Sequence, residues 1–226
     1  MNAPIRLNAL ARCLFDLLAA AALALASAAA MAGNQQYEPL AASVRAALYH
    51  AVSDAMPPMR LSGNIETQLV WLLDMSRRLE KRIPNRDYRV ELLTSIHYEA
   101  TRAGLDPQLV LGLVQVESNF RKYAVSKAGA RGYMQVMPFW VKLIGREDDN
   151  LFHMHTNLRY GCTILRHYLD IEKGDLYRAL GRYNGSLGRP EYPNLVRKAW
   201  ESNWAWTMPQ FTANEDNPEP AVASVR

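Results

Sequence analysis

The sequence predicts an all-α fold, and three observations lead to this prediction. Apolar residues recur every three or four positions through most of the chain, which is the spacing of one helix face. Prolines, glycines and helix-capping residues interrupt these segments. No stretch of useful length alternates apolar and polar residues as a half-buried strand would. With 226 residues, 49% of them hydrophobic and 21% charged, the chain is typical of a globular protein with a sizeable core.

The charge of the chain is mildly basic. It has 26 Lys and Arg against 22 Asp and Glu, for a formal net charge of +4. The basic residues are scattered along the sequence, so the composition does not predict a nucleic-acid partner. A weak attraction to an anionic polymer such as a cell wall is compatible with this charge.

Residues 1–32 are predicted to be a signal peptide. Arg6 and Arg12 precede an alanine-rich apolar run, and small residues at its end offer cleavage sites after Ala30 or Ala32. This pattern predicts export to the periplasm. An uncleaved membrane anchor is the alternative, because the run approaches the length that spans a bilayer.

Cysteine and histidine give no sign of a metal or a cofactor. Removal of the signal peptide leaves Cys162 as the only cysteine, so no intramolecular disulfide is expected. Its helical spacing with Leu158 and Leu165 favours a buried thiol over a nucleophile. His153 and His155 lack a cysteine or clustered carboxylate partner, and we interpret them as part of an ordinary loop.

An N-terminal extension, residues 33–86, is predicted to form two helices that pack on the rest of the protein. The first begins at Pro39 and stops at Pro57, and the second runs from near Asn64 to Pro84. The side chains expected on the buried face of the second helix are Leu69, Leu72, Leu79 and Ile83.

The next two helices are bounded by clear local signals. One runs from about Arg86 to Ala103 and stops at Gly104. The other has Asp106 as its N-cap and Pro107 at its first position, where the missing N–H costs nothing.

The later helices are predicted to begin at Thr156 and at Asp175, with Gly174 between them as a terminator. The last periodic segment runs from Tyr192 to Trp206. Residues 209–226 contain few large apolar side chains and are predicted to be a mobile tail.

Glu117 occupies an unfavourable position at the end of the helix that begins at Pro107. That helix is apolar on all sides and should be buried, and its negative C-terminal dipole adds to burial in raising the pKa of the carboxyl. A satisfied structural glutamate and a general acid or base are both open on this evidence. Common glycosidases need a second carboxylate, yet the next acid downstream is Glu147.

Four sequence blocks resemble one protein family: VESNF at 116–120, AVSKAGARGYMQVMP at 124–138, NLRYG at 157–161 and ALGRYNGS at 179–186. Their order and spacing are similar to those of lytic murein transglycosylases of the soluble-murein-transglycosylase (SLT) type. The resemblance implies a catalytic domain at 87–208 with a helical fold like that of goose-type lysozyme.

The resemblance also implies an activity and a substrate. That family cleaves the β-1,4 bond between N-acetylmuramic acid and N-acetylglucosamine in peptidoglycan. It adds no water and forms 1,6-anhydro-N-acetylmuramic ends with a single glutamate and no cofactor. Glycan strands of peptidoglycan are the implied partner, and a cell-envelope or secretion-machinery protein is a further partner that the sequence leaves open.

Site residues follow from the same blocks. The resemblance implies that Glu117 is the catalytic acid and base, that Ser126 and Gln135 bind sugar, and that Met137 forms a cleft wall. Tyr183 is implied to orient the glutamate.

The same resemblance implies that Asn184 holds the N-acetyl region of the substrate. Purely structural roles remain alternatives to these functional roles. Tyr183 alone is typical of a core, Asn184 with Gly185 is typical of a turn, and Ser118 could cap its helix.

The sequence departs from the family pattern in three places. Tyr133 replaces a Leu, Arg182 replaces an Ala, and RPEYPNLV replaces the usual Glu-Thr before the final helix. Two other functions remain open: a hydrolytic lysozyme of the same fold, and a non-catalytic peptidoglycan-binding or secretion-system scaffold. The presence of Glu117 favours an enzyme over the scaffold.

Overall fold

The computed structural model describes residues 35–53 and 64–209, and within these ranges the fold is helical. Two isolated β-bridges are the only extended pairings in the described part of the chain. The all-α prediction is therefore confirmed. The helices are α1 (Ala42–Ser53), α2 (Ile65–Leu79), α3 (Arg86–Arg102), α4 (Pro107–Ser118), α5 (Phe139–Ile144), α6 (Met154–Ile171), α7 (Leu176–Asn184) and α8 (Glu191–Ala199), followed by a π-helical segment (Trp200–Trp204).

Most helix ends lie where the local signals predict them. The side-chain oxygens of Asn64, Asp106 and Asp175 accept hydrogen bonds from backbone N–H groups in the first turns of α2, α4 and α7. Gly104 and Gly174 have positive φ angles just after α3 and α6, as helix-terminating glycines do. The predicted signal peptide, the stop at Pro57 and the tail after Pro209 lie outside the described residues.

Two helix predictions are wrong in part, and one helix was not predicted. Of the four side chains expected to be buried along α2 and just after it, Leu79 and Ile83 are buried as predicted. The buried face of α2 carries Gln68, Trp71, Met75 and Leu79, whereas Leu69 is 47% exposed. The apolar α2 residues fall on two faces, and only the packing against α3 decides which face is buried. Helix α6 begins at Met154, so His155 is helical rather than part of a loop. The six-residue helix α5 is too short for its periodicity to be recognised.

Helix α4 lies at the centre of the molecule. Eight of its twelve residues are buried, and it packs against α3, α8 and the π-helical segment. The buried residues of α1 and α2 belong to the same hydrophobic core as those of α4. The extension therefore does not form a core of its own. No helix in the described ranges is long and apolar enough to cross a membrane.

A buried ion-pair network fixes α3 against α6. The carboxyl of Glu99 is fully buried and accepts hydrogen bonds from Arg159, at 2.9 and 3.1 Å, and from Arg102 at 3.0 Å. Breaking a buried pair leaves a charge without full compensation, which is costly.

We therefore expect Arg159→Met to lower the free energy of unfolding by about 3 kcal/mol, the cost of removing one partner from a buried pair. Urea denaturation at neutral pH measures this loss. Arg197→Met is the matched control, because Arg197 pairs with Glu201 at 3.7 Å where both side chains are more than 60% exposed. It should cost less than about 0.5 kcal/mol. Equal losses in the two variants would contradict a structural role for the network.

Candidate active site

Glu117 lies in the last turn of α4, and its side chain is only 4% exposed. The apolar residues of α4 that precede it are packed on nearly every side, so little water reaches the carboxyl. The helix ends at Asn119, which has the left-handed conformation (φ 49°) and turns the chain away. The predicted burial of Glu117 is thus confirmed.

The carboxyl of Glu117 has one hydrogen-bond donor among the described residues. The Tyr192 hydroxyl donates to Oε1, while Oε2 is buried without a partner. Burial raises the pKa of Glu117 from an ordinary 4.5 to about 8, and the Tyr192 hydrogen bond opposes this rise. At neutral pH the carboxyl therefore carries its proton.

Tyr183 does not make the hydrogen bond to Glu117 that the resemblance implied. Its hydroxyl donates to the backbone carbonyl of Met134 at 2.7 Å, and the ring is fully buried at the end of α7. The negative charge of Glu117 still contributes to raising the pKa of Tyr183, after the larger effect of burial. Tyr183 thus lies near Glu117, but it positions the loop, and Tyr192 positions the carboxyl.

Tyr192 was missed as a site residue in the sequence. It lies in the first turn of α8, inside the block RPEYPNLV where the family pattern is lost, and it is fully buried together with Val196. A buried tyrosine needs a hydrogen-bond partner for its hydroxyl. That requirement is the one signal in the sequence, but the partner lies 75 residues away along the chain.

The loop at 124–138 folds back on itself beside the end of α4. Arg131 forms antiparallel bridges with Val125 and with Val136. Ser126 Oγ accepts a hydrogen bond from the backbone N–H of Ala130 at 3.1 Å, which closes a tight turn within the loop. The loop is therefore ordered by its own backbone and by short polar side chains.

Gln135 holds this loop together from the inside. It adopts a positive φ of 47°, which is uncommon for a residue other than glycine. Its Nε2 donates to the carbonyls of Ala124 and Gly132 at 3.1 and 2.9 Å.

Ser118, at the end of α4, donates to the carbonyl of Tyr133 at 2.8 Å. This last bond joins the loop directly to the helix that carries Glu117.

Asn157, in α6, anchors the loop at 124–138 through three hydrogen bonds. Its Oδ1 accepts from the backbone N–H of Met134, and its Nδ2 donates to the carbonyls of Arg131 and Leu151, all within 2.9 Å. Gly132 must lack a side chain here, since a Cβ would approach Asn157 Nδ2 to 2.4 Å. The NLRYG block thus supports the loop.

The remaining predicted binding residues lie near this loop. Met137 is half-buried, and its backbone N–H is hydrogen-bonded to Gln35 Oε1 at 3.3 Å. Asn184 is buried at the end of α7; its Nδ2 donates to Ser186 Oγ at 3.2 Å, and its Oδ1 has no partner among the described residues. The structure thus brings Glu117, Tyr183 and Met137 to one region, and it assigns Gln135 and Ser126 contacts within the loop.

No second carboxylate contributes to the pKa of Glu117 within the described ranges. The same ranges contain no group of three or more side chains suited to a metal ion. His155 faces Glu91 at 3.8 Å, and Cys162 is fully buried, which raises the pKa of its thiol. The prediction of a buried thiol at Cys162 is confirmed.

Comparisons with known proteins point to one family. Residues 94–199 match the family model "Transglycosylase SLT domain". The chain is 38% identical over 101 residues to a transglycosylase of Enterobacteria phage PRD1, covering 42% of this chain and 37% of that protein. It is 30% identical over 125 residues to membrane-bound lytic murein transglycosylase C of Mannheimia succiniciproducens, covering 51% of this chain and 33% of that protein.

The chain thus spans about a third of the length of these relatives. The matched segment 94–199 includes Glu117 and Tyr192 and all four sequence blocks. Residues 94–199 are therefore similar to the transglycosylase SLT domain family.

Proposed function

We propose that this protein is a peptidoglycan lytic transglycosylase with Glu117 as its single acid and base. It cleaves the β-1,4 bond between N-acetylmuramic acid and N-acetylglucosamine and leaves a 1,6-anhydro-N-acetylmuramic end. The observation that carries the proposal is a buried carboxyl with a pKa of about 8 and no second acid acting on it. The match of residues 94–199 to the SLT domain supports the same reaction.

In the first step, protonated Glu117 donates its proton to the glycosidic oxygen. The bond between C1 of the muramic sugar and that oxygen breaks, and the leaving sugar keeps the bonding electrons and the proton. The unpartnered Oε2 is the atom suited to this transfer, because Oε1 is occupied by Tyr192. The N-acetyl carbonyl oxygen of the substrate stabilises the positive charge that develops at C1.

In the second step, the Glu117 carboxylate accepts the proton of the C6 hydroxyl of the same sugar. The O6 atom forms a bond to C1, which closes the anhydro ring and regenerates protonated Glu117. A pKa of about 8 suits both directions of proton transfer, because a catalytic group works best when its pKa lies near the operating pH. No water is consumed, and no second carboxylate is required.

We propose that Ser126, Gln135, Met137, Tyr183 and Asn184 line the sugar-binding site, as the resemblance implies. Asn184 Oδ1 supports this for one group, because it is a buried acceptor that lacks a donor and would satisfy an N–H of an N-acetyl group. Tyr183 and Gln135 act mainly through the loop, since their polar atoms bind its backbone.

A hydrolytic lysozyme would use the same Glu117 but would place water, instead of the C6 hydroxyl, at C1. The two activities differ in their products alone. A non-catalytic scaffold would not need an acid with a strongly raised pKa, so the intact and buried Glu117 favours an enzyme.

The central prediction is that Glu117→Gln lowers the rate of glycan cleavage by about a hundredfold to ten-thousandfold, as expected for loss of a general acid and base. The amide keeps the shape of the side chain but cannot transfer the proton. Purified sacculi digested by the wild-type protein and analysed by mass should yield 1,6-anhydro muropeptides, each one water lighter than a lysozyme product.

Glu147→Gln is the control, since Glu147 is an exposed acid and the next one along the chain. It should leave the rate and the products unchanged. Reducing-end products from the wild type would overturn the transglycosylase assignment, and an active Glu117→Gln protein would overturn the site.

A second prediction concerns Tyr192. Its hydroxyl stabilises the charged carboxylate, so Tyr192→Phe should raise the pKa of Glu117 above about 8. Because the protonated acid starts the reaction, activity falls as pH rises through this pKa. The alkaline limb of the pH profile of kcat/KM should therefore move to higher pH in the variant.

Tyr183→Phe is the comparison for this experiment, because the Tyr183 hydroxyl donates to Met134 and not to Glu117. Its alkaline limb should stay in place even if its stability falls. A limb that moves in Tyr183→Phe and stays fixed in Tyr192→Phe would restore the role that the sequence implied for Tyr183.

We also propose that the protein is exported, with a signal peptide at 1–32, a helical extension at 33–86, the catalytic domain at 87–208 and a tail at 209–226. Relatives whose names describe them as membrane-bound support a location in the cell envelope. The mature chain in periplasmic extracts should begin near Met31 or Gly33 by N-terminal sequencing. A full-length product in the membrane fraction would instead identify residues 14–30 as an anchor. A protein partner in the envelope stays a prediction.

A further inference from the structure

Residues 35–40, here called the strap, precede α1 without regular secondary structure. Their side chains contact Met137, Phe139 and Arg182. We propose that the strap is autoinhibitory: it occupies the glycan-binding cleft, and a glycan strand must displace it. This inference rests on the proposed function for the identity of the strand, but the contacts of the strap are independent of it.

The first contact places a carboxamide at a predicted sugar-binding position. Gln35 is only 5% exposed, and its Oε1 accepts a hydrogen bond from the backbone N–H of Met137. An N-acetyl group of a sugar offers the same carbonyl oxygen and N–H as this side chain. Gln35 therefore takes a backbone donor that an N-acetyl group could otherwise use.

The second argument is the closeness of Gln35 to the catalytic acid. The negative charge of Glu117 and the amide of Gln35 both act on the Tyr183 hydroxyl, in opposite directions. Gln35 and Glu117 thus lie close to the same hydroxyl. With the strap in this position the Glu117 side chain is only 4% exposed, so the strap lies beside an acid that its neighbours already cover. Displacement of the strap is the movement that would open this region to a glycan.

Two further contacts hold the outer part of the strap. The ring of Tyr37 meets that of Phe139 edge-on, with centroids 5.8 Å apart, and Glu38 pairs with Arg182 at 3.1 Å. Arg182 and Tyr168 also line a surface cavity of about 400 Å³ beside the strap. The strap therefore follows the surface from the catalytic region to this cavity.

These contacts are suited to release. The hydrogen bond that Gln35 Oε1 accepts from Met137 is long, at 3.3 Å. Tyr37 is 61% exposed, and the carboxylate of Glu38 is exposed, where ion pairs contribute little. By contrast, α1 is held to the core by Leu48 and Val52. Leu40 also packs against the core, so the strap can leave from Gln35 to Glu38 while Leu40 and α1 stay in place.

The test uses the mature protein carrying Glu117→Gln, which allows binding to be measured without turnover. The probe is a β-1,4-linked tetramer of N-acetylglucosamine, and the strap variant is Gln35→Ala with Glu38→Ala. Because a closed state reduces the apparent affinity by the fraction that is open, the strap variant should bind the tetramer about tenfold more tightly. The matched control is Gln36→Ala, an exposed neighbour, which should bind as the parent does.

Hydrogen exchange on the parent, in which the strap is unaltered, gives a second readout. The amides of residues 35–38 should exchange faster when the tetramer is added, because the ligand displaces them. Tighter binding in the strap variant together with faster exchange supports the proposal. Unchanged or weaker binding, slower exchange, or no binding to either protein overturns it.

The two proposals fail separately. If the wild-type chain releases no anhydro products, the proposed lytic function is wrong. The ratio of the two binding affinities and the exchange rates still test the strap proposal in that case. If anhydro products form but the strap variant binds no more tightly, the strap proposal alone is wrong.

Discussion

The burial of one carboxyl, that of Glu117, is the constraint on which the rest of the site depends. A carboxylate without water or positive charge is unstable, and the described part of the chain offers this one a single donor, the Tyr192 hydroxyl. The proton therefore stays on at neutral pH, with a pKa of about 8. The apolar residues of α4 have two roles: they form the core of the protein, and they exclude water from the Glu117 carboxyl.

The loop at 124–138 shows how a segment with little regular structure is held in place. Its backbone carbonyls and N–H groups need partners when they are buried. Asn157 and Tyr183 supply these from α6 and α7, and Gln135 supplies them from within the loop. Side chains that look like sugar ligands in the sequence are thus used largely to fix the loop. A rigid loop in turn fixes the position of the Met137 backbone, whose N–H is hydrogen-bonded to Gln35.

Arg182 connects the departures from the family pattern to the strap. Where the family has a small residue, this chain has a guanidinium that pairs with Glu172 beneath it and with Glu38 in the strap. The pairs raise the pKa of Arg182 and lower that of Glu172. A substitution that weakens the resemblance locally therefore also ties the N-terminal extension to α7. Tyr133, another departure, uses its added hydroxyl to bond with that of Tyr88 in α3.

Local chemistry was enough to predict much of this protein. Asn64, Asp106 and Asp175 cap the helices that follow them, because a cap depends only on residues two or three positions away. The place of Glu117 at the end of an apolar helix also follows from adjacent residues. Contacts between segments that are distant in the chain could not be predicted from the sequence. Leu69 was expected to be buried but is exposed, and Tyr192 rather than Tyr183 binds the acid. More than one face of α2 and more than one tyrosine satisfy the sequence pattern. The packing of α2 against α3 selects the buried face, and the packing of α8 against α4 selects the tyrosine that meets Glu117.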